Sequence, residues 1–522
     1  MSNNKIDCVF LVVSSSKKSY QKLAETYSAI EPPTWALLLA QSSRSAGFNV
    51  KIIDANAEQL SEKSILERIK TLDPKLICMV VYGQNVNAGT ANMSGATYIT
   101  NFLKENKINK KICFIGSHVQ ALPKETLEKE QNIDFVFTNE GVYALRNILK
   151  LNKFDYDSMR NIKGIALRNS ENKIIINKSE SVVPSEKMDF DLPGYAWDLL
   201  PYDKNPLDLY RAPMWHAEYD FEKRSPYASI QTSLGCQFHC NFCMINLINR
   251  NDEEETGVAS NYNQMRFWSP DFIIKEFDKL IGMGVKTIRI VDEMFLLNPK
   301  YYIPLCEKLA ERNKDDSLRM WSYSRIDTVK RPEILKLVRR AGIKWLCLGI
   351  ESGDKSVRLE VDKGKFEDVQ VKEVIDKIHE AGIDVMANYI FGLPGDDRET
   401  IDKTFKLSLE LCTAGWNTYA AMALPGSLLY KNAKDMKIDL PKTYEGYSFH
   451  SYETLPLPTE KLSAAEILKL RDEAFTKYHT NKNFLNLIEK KFGEKATKNI
   501  MNMAKIKLKR QIIEELTHSE NK

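Results

Sequence analysis

The sequence predicts an α/β protein. A doubly wound parallel sheet (residues 1–150) comes first, then a linker packing on the core (151–224), a partial six-stranded βα barrel (225–435) and a loop with a helical C-terminal region (436–522). Two observations carry this. Short continuous Val/Ile/Leu runs alternate with helix-periodic segments in two separate blocks, the pattern of buried parallel strands covered by helices. Between the blocks, Pro184, Pro193, Pro201, Pro206 and Pro213 interrupt regular structure.

Composition bounds the function classes. At 522 residues the chain has room for two or three domains, and 43% apolar with 28% charged residues are globular values. A net charge of +4 from 74 basic and 70 acidic residues argues against a nucleic-acid partner, which leaves a strongly basic footprint. No apolar run reaches the ~18–20 residues of a membrane span. The N-terminus lacks the charged-then-apolar order of a signal peptide. Six of the nine cysteines stand singly in apolar runs, unlike a disulfide framework. The expected setting is a reducing cytoplasm.

In the first block, strands are expected at 8–13, 50–54, 76–81, 112–115 and 135–137, with helices at 34–46, 58–71, 94–105 and 124–130. Such sheets bind ligands at the carboxyl ends of their strands. The candidates there are Tyr82-Gly83-Gln84-Asn85, Gly116-Ser117-His118 and Asn139-Glu140-Gly141. Taken alone, the second of these is equally an ordinary turn with a satisfied histidine. Within the linker, 164–167 and 173–176 read as a small hairpin.

In the second block, strands are expected at 228–232, 287–291, 319–324, 345–350, 385–390 and 418–423, each followed by a helical segment. Parallel barrels also place chemistry at strand carboxyl ends. The first strand leads into Cys236-Gln237-Phe238-His239-Cys240-Asn241-Phe242-Cys243. Nine cysteines in 522 residues give roughly 0.003 such triplets by chance. Three thiolates on one tight loop suit an iron–sulfur cluster, and three ligands leave one iron of a [4Fe–4S] cube open. A zinc site would need a further ligand, for which His239 is the nearest residue. Later strand ends carry Asp292-Glu293, Tyr323 with Arg325, Glu351-Ser352, and Asn388 with Gly392.

The C-x-x-x-C-x-x-C spacing with Phe242 before the last cysteine resembles the signature of the radical S-adenosylmethionine (radical SAM) superfamily. The preceding α/β block resembles the cobalamin-binding domain of its B12-dependent branch, which includes class B methylases and the anaerobic magnesium-protoporphyrin IX monomethyl ester cyclase. The resemblance implies that Cys236, Cys240 and Cys243 hold a [4Fe–4S] cluster. It implies that Asp292 and Glu293 receive the S-adenosylmethionine amine and Arg325, beside Tyr323, its carboxylate. Glu351 and Ser352 would meet the ribose, and Asn388 and Gly392 the adenine. Cobalamin contacts would fall at Tyr82, Gln84, Asn85, Gly116–His118 and Asn139–Gly141. The cobalt-ligating Asp-x-His-x-x-Gly of B12 mutases is replaced by Ser14-Ser15-Ser16-Lys17-Lys18-Ser19-Tyr20, so cobalamin (methylcobalamin) is expected base-off, without a histidine on cobalt.

The implied reaction is reductive cleavage of S-adenosylmethionine to a 5′-deoxyadenosyl radical and methylation of an unactivated carbon in a small-molecule substrate. An electron donor such as flavodoxin or ferredoxin is implied. Cobalamin-assisted cyclisation or rearrangement is the alternative reaction. A redox or light sensor is the non-enzymatic alternative, but no output motif accompanies it. In the C-terminal region, Ser463 to Glu466 reads as a capping box. The loop 444–453 reads either as a substrate lid or as an aromatic plug.

Overall fold

The computed structural model describes residues 5–13, 15–83, 88–202, 204–213, 223–329, 331–361 and 371–520. Strands β1 (Cys8–Val12), β2 (Val50–Asp54), β3 (Leu76–Val80), β4 (Lys111–Ile115) and β5 (Phe135–Phe137) are parallel, in the spatial order β2-β1-β3-β4-β5. Every residue of β3 is buried, as expected of a central strand covered on both faces. The order reverses between β1 and β3, the switch point where such sheets open a crevice.

Two further strands, β6 (Ile165–Arg168) and β7 (Ile174–Ile176), continue this sheet antiparallel beyond β5. The hairpin expected within the linker is therefore part of the first sheet. Leu167 and Ile165 stand opposite Phe135 and Phe137 and cover an edge that would otherwise be open. The N-terminal unit thus runs past residue 150.

The second unit begins with β8 (Tyr227–Ile230), turns into β9 (Ser233–Cys236), and returns through β10 (Gln264–Phe267), antiparallel to β9. The barrel strands β11 (Thr287–Ile290), β12 (Arg319–Arg325), β13 (Ile343–Glu351), β14 (Asp384–Phe391) and β15 (Gly415–Ala420) follow. With β8 they form one parallel six-stranded sheet in the order β15-β14-β13-β12-β11-β8. β15 begins three residues earlier than its apolar run suggests, because Gly415 lets the Met386 side chain lie against the backbone.

Helix starts follow local chemistry. Ser269 Oγ accepts the Phe272 N–H ahead of helix Pro270–Gly282, and Asp397 and Ser463 form capping boxes ahead of Arg398–Leu411 and Ala464–His479. Such caps contribute about 1 kcal/mol each. Helix Ala464–His479 covers the end of the barrel sheet. Tyr478 stacks on Trp416 at 5.0 Å, and Arg471 Nε donates to Thr418 O at 2.7 Å.

Candidate functional site

The cysteine loop hangs from the β9–β10 ribbon rather than directly from a barrel strand. Gly235, at φ +82°, is required there, since a Cβ would stand 2.1 Å from Gln264 O. The Cys236 N–H donates to Asn246 Oδ1 at 2.8 Å, and Cys243 N–H donates to Cys240 O at 3.0 Å. Asn249 ties the ribbon together: its Nδ2 donates to Gln264 O at 3.0 Å while its Oδ1 accepts from Arg266 Nη2 at 2.8 Å. Cys236 is buried, and Cys240 and Cys243 are half-buried. Burial pushes the Cys243 thiol up, and Glu293, Cys240 and Cys236 add to the shift, so these four groups share one neighbourhood. Among the described residues no three His, Cys, Asp or Glu side chains are placed to hold a single metal ion. His239 is exposed, with its Nδ1 against Ser260 O and Asn263. The soft donor set on a rigid ribbon fits an iron–sulfur cluster. Phe242 packs toward Leu393 and Ala421, at the ends of β14 and β15.

At the strand ends the adjacent acids divide. Asp292 is buried and faces back: its Oδ1 accepts the Thr232 N–H, and its Oδ2 accepts the Thr232 and Ser233 hydroxyls, each at 2.6 Å. Burial raises its pKa to about 6 against those three hydrogen bonds. The amine contact expected of Asp292 is thus replaced by fixing the turn that leads into β9. Glu293 is half-buried and acts electrostatically on both Cys243 and Tyr323. Arg325 lies 4.0 Å over the Phe238 ring within the cysteine loop, and forms a two-pronged ion pair with Asp327 at 3.1 and 3.2 Å.

Glu351 ends β13 in the left-handed region at φ +65°, a conformation that costs a non-glycine residue about 1–2 kcal/mol. Ser352 is buried against Thr404 and receives the Asp354 N–H. Asn388 donates to Leu348 O at 3.2 Å and accepts from Asn417 at 3.2 Å, a polar rung across β13, β14 and β15. Gly392 is at φ +82°, and its open side is filled by Ile467, 2.7 Å from where a Cβ would be. Its smallness serves the C-terminal helix rather than an approaching ligand.

A cavity of about 1070 Å³ opens at the β1/β3 switch point. That is at or above the ~300–1,000 Å³ of small-ligand pockets. Its walls come from the ends of β1, β2 and β3 (Val13, Asn56, Tyr82), from Tyr20 and Glu31, from Tyr419 on β15, and from residues 447–450. Tyr82 stacks on Trp35 at 5.4 Å. Gln84 and Asn85 lie outside the described residues, as does Ser14. The loop 444–453 is both packed and site-lining. Glu445 accepts from Ser94 at 2.5 Å and pairs with Lys18 at 3.1 Å, while Phe449 and His450 face the cavity. The His450 ring stacks on Tyr20.

The remaining cofactor candidates do not line this cavity. A Cβ on Gly116 would stand 2.1 Å from Val81 O, and one on Gly141 2.5 Å from the Ile115 side chain. Ser117 is buried; His118 is buried against Thr90 and edge-on to Tyr444, with burial driving its pKa down to about 3. Asn139 donates to Glu180 O at 2.7 Å. Glu140 is locked 2.7 Å from Arg266 of β10. These turns follow β4 and β5, past the switch point, so neighbouring chain fills the space that a ligand was expected to occupy.

Sequence reasoning missed a second link between the units. Glu31 accepts from Arg289 at 3.0 Å, Tyr227 at 2.7 Å and Ser229 at 2.5 Å, and Arg289 also donates to Tyr323 at 2.9 Å. A charge inside the apolar strand Thr287–Ile290 is the signal that could have found it.

Residues 20–149 match the B12 binding domain, and residues 230–408 match the Radical SAM superfamily. The anaerobic magnesium-protoporphyrin IX monomethyl ester cyclase of Cereibacter sphaeroides is 23% identical over 84% of this chain and 65% of its own length, so the chain spans just under two thirds of that relative. An uncharacterised methyltransferase of Pyrococcus horikoshii is 25% identical over 85% of this chain and 87% of its own. Among solved structures, the radical S-adenosylmethionine methyltransferase TsrM of Kitasatospora setae, bound to cobalamin and a [4Fe–4S] cluster, superposes with a TM-score of 0.64 at 14% identity. That match covers 96% of this chain and 99% of TsrM, and it shows a shared fold. The chain thus carries a B12 binding domain match ahead of a Radical SAM superfamily match on its cysteine-loop barrel, in the order found along a fold it shares with TsrM.

Proposed function

We propose that this protein is a cobalamin-dependent radical SAM methylase acting on an unactivated carbon of a small-molecule substrate. The observation that carries the reading is the cavity at the β1/β3 switch point, walled on its far side by the barrel and the 447–450 loop. When bound, the cluster, S-adenosylmethionine and cobalamin supply an adenosyl radical and a transferable methyl group; the protein supplies binding and orientation. In this reading Cys236, Cys240 and Cys243 hold the cluster. Glu293 receives the S-adenosylmethionine amine, Arg325 and Phe238 form a platform beside it, and Glu351 meets the ribose. Asp292 and Asn249 keep the cysteine ribbon in register. Tyr82 and Trp35 face the corrin from the sheet side. A flavodoxin or ferredoxin delivers the electron.

The relatives named as ester cyclases, one matching 84% of this chain, favour cobalamin-assisted ring closure as the second reading. One experiment separates the two: anaerobic turnover of candidate metabolites with methyl-deuterated S-adenosylmethionine, analysed by mass spectrometry. Methylation transfers the label to the product alongside 5′-deoxyadenosine. A hydrogen-poor, unlabelled product with 5′-deoxyadenosine would establish ring closure instead. Full cluster content in a Cys236→Ala/Cys240→Ala/Cys243→Ala variant would sink both.

A further inference from the structure

Arg211 lines the cavity and is the exception among the enclosed arginines. Arg250, Arg266, Arg289, Arg325, Arg471 and Arg510 each have a carboxylate within 3.1 Å. Arg224 instead caps backbone carbonyls, including Ser28 O at 3.0 Å. The Arg211 side chain has no such partner among the described residues, and its Nε is buried without an acceptor. Its backbone is fixed on both sides. Arg211 N–H donates to Ile30 O at 3.0 Å and Ile30 N–H donates to Arg211 O at 2.9 Å, while the neighbouring Tyr210 hydroxyl donates to Asp54 at 2.7 Å. Arg224 lies close enough to repel it.

An unpaired guanidinium with a buried donor, beside a second cation, disfavours the empty cavity. An anionic oxygen pair would relieve that cost, because the planar fork of arginine matches carboxylate and phosphate. We propose that Arg211 is the anion-recognition residue of this cavity, taking a carboxylate or phosphate group of the molecule bound there. The inference rests on the reading of the cavity as the ligand site. The anion has two possible sources: the phosphodiester of the cobalamin nucleotide tail, or an acidic group on the substrate.

The test compares wild type with Arg211→Gln and Arg211→Lys, all anaerobically reconstituted and matched in melting temperature. Each is titrated with hydroxocobalamin and with cobinamide, which lacks the nucleotide and its phosphodiester. Each is also titrated calorimetrically with inorganic phosphate and with malonate, with and without cobalamin loaded. If the anion is the cofactor's, Arg211→Gln weakens cobalamin binding by roughly ten- to a hundredfold and leaves cobinamide unchanged. If it is the substrate's, cobalamin affinity holds, while phosphate or malonate binding is lost in Arg211→Gln and partly kept in Arg211→Lys. An Arg211→Gln protein indistinguishable from wild type in every titration overturns the proposal. Should wild type bind no cobalamin at all, the methylase reading falls, and the anion titrations on the cofactor-free protein still decide the role of Arg211.

Discussion

Replacing Glu140 by glutamine tests whether the first unit holds the cysteine ribbon in place. Glu140 Oε2 stands 2.7 Å from Arg266 Nη2, and both side chains are at most 1% exposed. Glu140 Oε1 accepts the Val183 N–H at 2.6 Å, a bond the glutamine carbonyl can keep. Arg266 retains Val183 O and Asn249 Oδ1, each at 2.8 Å, but loses its carboxylate. Removing one member of a buried pair costs about 3–5 kcal/mol; two retained neutral acceptors place this case near the lower end, about 3 kcal/mol. A unit of roughly 150–250 residues loses about 2–4 °C per kcal/mol, so the melting temperature should fall by about 6–12 °C. Arg266 sits on β10, opposite β9 and two residues from the partner of Cys236. The same substitution should therefore speed loss of iron to a chelator. Differential scanning calorimetry and chelator kinetics, both anaerobic, measure the two effects. A variant melting within about 2 °C of wild type, with unchanged iron loss, would refute the argument that this pair couples the two units.

Gly235→Ala places a methyl 2.1 Å from Gln264 O at a positive φ. The β9–β10 ribbon should open at a cost above about 2 kcal/mol, and cluster content by iron and sulfide assay should collapse while far-UV circular dichroism is retained. Glu351→Gly relieves left-handed strain, so stability should rise by about 1 kcal/mol as affinity for S-adenosylmethionine drops roughly tenfold or more; calorimetry checks both. Burial raises Asp54 to about 6 despite hydrogen bonds from Tyr210, Ala57 and Asn56, whereas the unfolded value is about 3.9. The folded state therefore binds more protons between those values, and this group's contribution to stability is lost as pH rises through that window. Asp54→Asn should gain on wild type from about pH 4 to 6, and parallel pH–melting curves would contradict this.

Much of the architecture was legible because strand runs and helix caps are local. The residue pairs that build a parallel sheet need only continuous apolar runs, and Ser463 with Glu466 announces a helix within three residues. The cysteine loop was legible for the same reason. What escaped is set by distant pairing. The sequence around Asn139-Glu140-Gly141 looks like a ligand loop, and only the arrival of Arg266 from β10 makes Glu140 a buried clamp. Asp292 and Glu293 are chemically alike, and which of them turns inward depends on how Thr232 and Ser233 fold back. Gly392 reads as a place for close ligand approach until Ile467 occupies it. β6 and β7 read as an isolated hairpin because β5, the strand that β6 pairs with, is only three residues long.

The walls of the cavity are contributed by residues 12–99, Arg211, Tyr419 and the 447–450 segment. That last segment is tied down late in the chain: Arg510 donates to Ser451 O at 3.0 Å, and Gln21 Nε2 donates to His450 O at 2.8 Å and Lys509 O at 3.1 Å. During synthesis at about 5–20 residues per second, the first sheet emerges roughly a quarter of a minute to just over a minute before the residues that close it in. Throughout that interval the crevice at β1 and β3 is an open half-site on the nascent chain. A large ligand meets a wider opening then than after the 447–450 segment has added its wall. Cofactor loading on the nascent chain and on the finished protein are thereby different events, the second passing the wall that residues 447–450 add.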